Sequence, residues 1–191
     1  MLKNMKALYR NLPGVKRLCE KKTAKYQRIC IIGNSDGGRS TLTLELGALF
    51  QLPVLHIDRL YWQSCRVKTP KDVYLPELRK VIAEEKRIID GNNKGTPANR
   101  LERRDCVIYM DYYLFFCCRR VIRRALLYTH RSDMAEGSGE RINCRFILSF
   151  RRTTGRIMTD LVQTSPRKFD FLWCIMIRDT AELVRRLRQE A

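Results

Sequence analysis

The stretch "RICIIGNSDGGRST", from Arg28 to Thr41, restricts the fold more than any other part of this 191-residue chain. The apolar run Ile29–Ile32 ends in Gly33, and after four intervening residues come Gly38, Arg39, Ser40 and Thr41. That is the spacing G-x-x-x-x-G-K-[ST] of a phosphate-cradling loop, with arginine standing where the motif has lysine. Leu42, Leu46, Leu49 and Phe50 then recur at helical spacing, so a helix follows the loop. Strand, glycine-rich loop and helix in this order turn backbone N–H groups and the positive end of a helix dipole onto one anion. The loop residues Gly33, Asn34, Ser35, Asp36, Gly37, Gly38, Arg39, Ser40 and Thr41 are therefore expected to hold the phosphates of ATP, with the Ser40 hydroxyl on Mg2+. Arg39 keeps the charge of lysine but is planar and bulkier. Nucleotide binding is expected to survive this change at least weakly, with catalysis impaired.

The remainder of the chain alternates short apolar runs with helical periodicity. Ile29–Ile32, Val54–Ile57, Ile88–Ile89, Cys106–Met110 and Phe171–Ile177 read as strands. Between them lie helical segments from Pro70 to Glu85, with a break expected at Pro76, and from Tyr113 to Tyr128. A last helix opens at Asp179 and Glu182, which read as a capping pair. Apolar runs without alternation, each followed by a helix, indicate parallel strands buried on both faces. The expected fold is α/β, a three-layer P-loop NTPase with a five-stranded parallel sheet flanked by helices. Ligands of such sheets bind at the carboxyl ends of the strands, and those ends carry Gly33, Asp58, Asp90 and Asp111. Residues 1–26 read as an appended basic arm and 27–191 as the domain. A glycine-, serine- and arginine-rich region at about 129–155 is read as a lid.

Thirty-eight basic residues against twenty acidic ones give a net charge of +18. Such a field attracts polyanions, so a nucleic-acid partner held by the basic arm stands as an alternative to a nucleotide alone. No helix-turn-helix signature and no aromatic-interleaved basic stripe accompanies the charge. No apolar run reaches eighteen residues, which excludes a transmembrane helix as a reading. The basic N-terminus lacks the apolar core of a secretory signal, and the expected address is cytoplasmic. The eight cysteines include no C-x-x-C pair and only two histidines accompany them, so buried reduced thiols are expected rather than a zinc site.

Six further segments carry a resemblance: "HIDRLYW", "IIDGNNKGT", "RLERRDCVIYMD", "RSDMAEG", "ERIN" and "FRRTTGRI". In this order and spacing the chain, from about Gln27 to Glu190, resembles the DNA topology modulation proteins. These are small P-loop kinase-like proteins related to adenylate and shikimate kinases. The resemblance implies phosphoryl transfer from ATP to a small acceptor whose identity it leaves open. It places Asp90 in the magnesium shell and Asp58 at the acceptor hydroxyl. Arg120 and Arg124, four apart on one helical face, match the pair that grips the transferring phosphoryl group. Arg131, Arg151, Arg152 and Arg156 would belong to the lid and the helix returning from it, with Arg156 on the nucleotide. His56 is expected to be a packed core histidine.

Overall fold

The structure, a computed structural model, describes residues 15–16, 26–34, 37–63, 67–92, 103–127, 144–164, 169–174 and 176–190. Five parallel strands form the body of the sheet: β2 (Arg28–Gly33), β3 (Val54–His56), β4 (Arg87–Asp90), β5 (Cys106–Met110) and β6 (Asp170–Cys174). A two-residue strand from the basic arm, β1 (Val15–Lys16), adds a parallel edge beside β6, giving the order β1-β6-β5-β2-β4-β3. The chain leaves central β2 for the β3 edge, returns to β4, then crosses over to β5 on the other side. That reversal puts a crevice beyond the carboxyl ends of β2, β4 and β5.

The helices among the described residues are α1 (Arg39–Phe50), α2 (Ile57–Tyr61), α3 (Lys71–Ala83), α4 (Leu114–Leu127), α5 (Cys144–Ser149), α6 (Thr154–Thr164) and α7 (Ile177–Glu190). Side chains alternate across the strands and bury both faces of the sheet. Ile29 and Ile31 of β2, Ile108 and Met110 of β5 and Leu172 of β6 pack with Leu42 and Leu46 of α1, Cys117 and Val121 of α4 and Leu183 and Leu187 of α7. On the reverse face Cys30, Ile32, Val107, Tyr109 and Phe171 meet Phe150, while Ile89 of β4 joins Leu78 and Ile82 of α3. This is the three-layer α/β sandwich that unalternated apolar strands require.

Several boundaries differ from the sequence reading. The second strand stops at His56, so Asp58 sits in the first turn of α2 rather than at a strand tip. Pro76 does not break α3. Residue 76 is exposed, as is Asp72, whose carbonyl loses its N–H partner, on the side of the helix where water can supply a bond. Helix α7 begins at Ile177, two residues before the expected start. Asp179 reaches back to accept the Met176 N–H at 2.8 Å, acting from inside the first turn as the reciprocal half of a capping box. Of the lid region, residues 129–143 lie outside the described ones, and the rest forms α5, a 3-10 turn (Phe150–Arg152) and the start of α6.

Candidate functional site

The loop after β2 is fixed by contacts from three neighbouring elements. Gly33 lies against β5 so closely that a Cβ built on it would stand 2.8 Å from both the Met110 Cβ and its carbonyl oxygen. Only glycine lets the chain turn there. From the other side, the Asn92 side chain accepts the Gly33 N–H at 3.4 Å and donates its amide to the Gly33 carbonyl. The Asn34 amide, buried, donates to the Ile147 carbonyl of α5 at 3.1 Å. Gly37 N–H closes a turn on the Asn34 carbonyl at 3.3 Å. Gly38 caps α1 with φ of 83°, a conformation that favours glycine, and no side chain caps that helix. Ser35 and Asp36 lie outside the described residues.

Arg39 is the first residue of α1 and is 8% exposed. Its Cδ lies 3.4 Å from the position of a Cβ on Gly33, so the side chain folds back along the loop toward the end of β2. Its Nη1 is buried and has no hydrogen-bond partner among the described residues. A buried guanidinium nitrogen with nothing to donate to is costly. An anion at the loop would supply the missing acceptor. Ser40 follows, half-buried, and Thr41 is exposed at the mouth.

A cavity of about 560 Å³ opens from Gly37, Gly38 and Thr41 and runs between α1 and α7, with Arg120 of α4 reaching its edge. That volume lies within the roughly 300–1,000 Å³ of small-molecule sites. Tyr112, Arg120, Ile177 and Thr180 line its walls, and Arg185 and Arg188 stand at the far rim. Arg120 passes over the Phe116 ring at 5.5 Å and brings Nη1 to 3.5 Å from where Gly38 would carry a Cβ. Tyr112 hydroxyl and Thr180 hydroxyl hydrogen-bond to each other. Burial pushes the Tyr112 phenol up to about 12, keeping it protonated in this wall.

Asp90 ends β4 and is buried; His56 Nδ1 lies 2.8 Å from its Oδ1. The two are register partners on adjacent parallel strands, and Ile31 is the partner of Asp90 on β2. His56 is thus buried as expected, but as the polar partner of Asp90, a pairing that the sequence reading missed. Asn92 was also missed as a clamp. Its only signal was its place two residues beyond Asp90, which continues the β2–β4 register to Gly33. Asp111 is buried just past β5, with its N–H on the Cys174 carbonyl at 2.8 Å.

Of the expected site residues, Gly33, Asn34, Gly37, Gly38, Arg39, Thr41 and Arg120 gather around the loop and the cavity. Asp58 is half-buried on α2, and Asp90 is two residues short of the loop-clamping Asn92. Arg124 lies on α4 one turn beyond Arg120. Arg156 is exposed on α6 and does not line the cavity.

No group of three His, Cys, Asp or Glu among the described residues is arranged to hold a metal by itself. Magnesium in phosphoryl-transfer sites takes one or two protein oxygens and otherwise the substrate's phosphates. The hydroxyl of Ser40 in the first turn of α1 and the carboxylate of Asp90 are the donor types that such an ion uses.

No protein-family model and no curated protein matches the chain. A gluconokinase from Sinorhizobium meliloti 1021 superposes with a TM-score of 0.50 at 12% identity, over 86% of this chain and 90% of that one. This chain has the same fold. A sugar kinase from Janibacter sp. HTCC2649 gives a TM-score of 0.47 at 11% identity, covering 84% and 91% of the two chains. A putative kinase from Chloroflexus aurantiacus j-10-fl also gives 0.47, at 12% identity, covering 86% and 98%. The architecture shared with the gluconokinase is the parallel α/β sheet with its flanking helices.

Proposed function

We propose that the chain binds ATP across the Gly33–Thr41 loop and transfers its terminal phosphoryl group to a small acceptor. The observation that carries this reading is Arg39: a guanidinium nine-tenths buried at the loop, with Nη1 unpartnered among the described residues. A phosphate oxygen is the acceptor that matches a buried guanidinium at the start of a helix. The nucleoside occupies the cavity between α1 and α7, against Tyr112 and Ile177. Arg120, beside Gly38, and Arg124 stabilise charge on the phosphoryl group in flight, and Arg156 acts when the lid region is over the nucleotide. Mg2+ is held by Ser40 and Asp90 and, when bound, neutralises phosphate charge. Asp58, after β3, orients the acceptor hydroxyl or takes its proton. The finer kinship is with the DNA topology modulation proteins, on the six segments that resemble them.

The test is thermal unfolding with Mg2+ and millimolar ATP. Saturation a hundred-fold above Kd stabilises by about 2.7 kcal/mol, which raises Tm by roughly 5–10 °C in a chain of this size. Arg39→Met is expected to abolish that shift. An unchanged Tm in the native chain sinks the nucleotide reading. Arg39→Lys then separates a working kinase from a degenerate one that binds without efficient turnover. A gain in phosphate release assigns the defect to Arg39, and no gain removes that explanation. The net charge of +18 keeps a nucleic-acid role as the second reading. DNA binding that is salt-sensitive and vanishes when residues 1–14, which precede β1, are deleted supports it, and none at low salt ends it.

A further inference from the structure

Helix α4 shows two different faces. One packs Cys117 and Val121 into the core and carries Arg120 to the phosphate loop. The other leaves Phe115, Ile122 and Leu126 exposed by 81%, 55% and 73%. With 3.6 residues per turn these three side chains fall within about 40° of arc, some 140° around the helix from Arg120. Arg119 and Arg123, both exposed, border the stripe along one side. Beside it, α5 packs against α4 and exposes Leu148 and Arg145. Across α4, α5 and the 3-10 turn that follows, Leu114–Leu127 and Cys144–Arg152, no acidic residue occurs.

An aligned apolar stripe with arginines along one side, on a helix without acidic residues, limits what can cover it. A second copy of this chain, paired about a two-fold axis, would set Arg119 and Arg123 against arginines of the same face. The basic arm carries the same sign of charge and is repelled equally. Nucleic acid satisfies the arginines, but its bases stack on aromatic rings and gain little from Ile122 and Leu126. An anionic lipid surface satisfies both features. Apolar side chains enter the boundary between headgroups and acyl chains, while arginines stay with the phosphates. We propose that the α4 stripe docks this protein peripherally on anionic membrane surfaces, independently of whether the loop binds nucleotide. No described helix is long and apolar enough to cross the bilayer, so the contact is interfacial.

The test uses the full chain and sedimentation with two kinds of vesicle, phosphatidylcholine alone and phosphatidylcholine with one third phosphatidylserine. A chain this basic binds anionic vesicles through charge alone, so the deciding variant keeps every charge: Phe115→Ser, Ile122→Ser and Leu126→Ser together. The native chain is expected to bind the anionic vesicles and not the neutral ones, with the triple variant binding about tenfold more weakly. Arg119→Gln with Arg123→Gln is expected to weaken binding several-fold, with an unchanged Tm for both variants as the control for folding. Equal binding by native and triple-variant chains overturns the proposal. So does equal binding to neutral vesicles, or a native chain that binds DNA or dimerises through this stripe and ignores lipid.

Discussion

At the residue scale, Arg39 violates a general rule of folded proteins. A guanidinium is buried with one nitrogen unpartnered among the described residues, on a helix that no side chain caps. Such violations survive where a ligand compensates them. Arg39→Met keeps the length and apolar stem of the side chain but removes the buried charge. The ligand-free protein is therefore expected to gain about 1–3 kcal/mol in denaturant unfolding, even as the ATP-dependent shift disappears. An equal or lower stability of Arg39→Met without nucleotide would mean that Arg39 is already satisfied in the free protein. The motif made this residue legible in the sequence. Asn92 was not, because a clamp on the Gly33 backbone depends on the β2–β4 register and carries no spacing rule.

At the element scale, periodicity located the strands and long helices, while caps and breaks depended on exposure. Pro76 shows why. Its ring cost was read as a break, yet the helix continues with Asp72 and Pro76 both exposed. Restoring the missing N–H with Pro76→Ala is expected to stabilise the protein by about 1–3 kcal/mol, seen as a higher urea midpoint with an unchanged m-value. No gain would show that α3 draws its stability wholly from Tyr74, Leu78 and Ile82 packing and not from its own backbone bonds. The His56–Asp90 pair belongs to this scale as well. Both residues end strands, and the parallel pairing of β3 with β4 makes them partners. The alternation of β3 alone gave no hint of that neighbour.

At the scale of the whole molecule, the two ends of the sheet have different jobs. The carboxyl ends hold the loop, Asp90 and the cavity. The amino ends are tied by ion pairs: Arg28 to Asp105 at 2.7 Å and to Glu85 at 3.2 Å, with Arg103 also on Glu85. Burial raises the Asp105 carboxyl pKa, but hydrogen bonds from the Arg28 guanidinium and from the Gln27 and Arg28 N–H groups outweigh it, and the net shift is downward. A carboxyl with a lowered folded-state pKa contributes stability above its unfolded value of about 3.9 and loses it as pH falls through the lower folded value. Native Tm is therefore expected to drop below pH 4 more steeply than that of Asp105→Asn, which starts lower at pH 7. Parallel curves for the two proteins would remove Asp105 from the acid transition. The net charge of +18 adds self-repulsion that salt relieves, so both curves should be recorded at one ionic strength.

The sequence by itself determined the α/β class, the strand–loop–helix at Gly33 and the charge, because each rests on local spacing, apolar runs or composition. Tertiary structure alone decided that Arg39 is buried, with Nη1 unpartnered among the described residues, that His56 holds Asp90, and that Asn92 grips the loop. It also decided that α4 leaves Phe115, Ile122 and Leu126 in solvent. Those facts depend on which strands become neighbours and which face of a helix meets the sheet. The pairings join residues 34 to 59 positions apart, as in His56–Asp90 and Gly33–Asn92, beyond the reach of any local pattern.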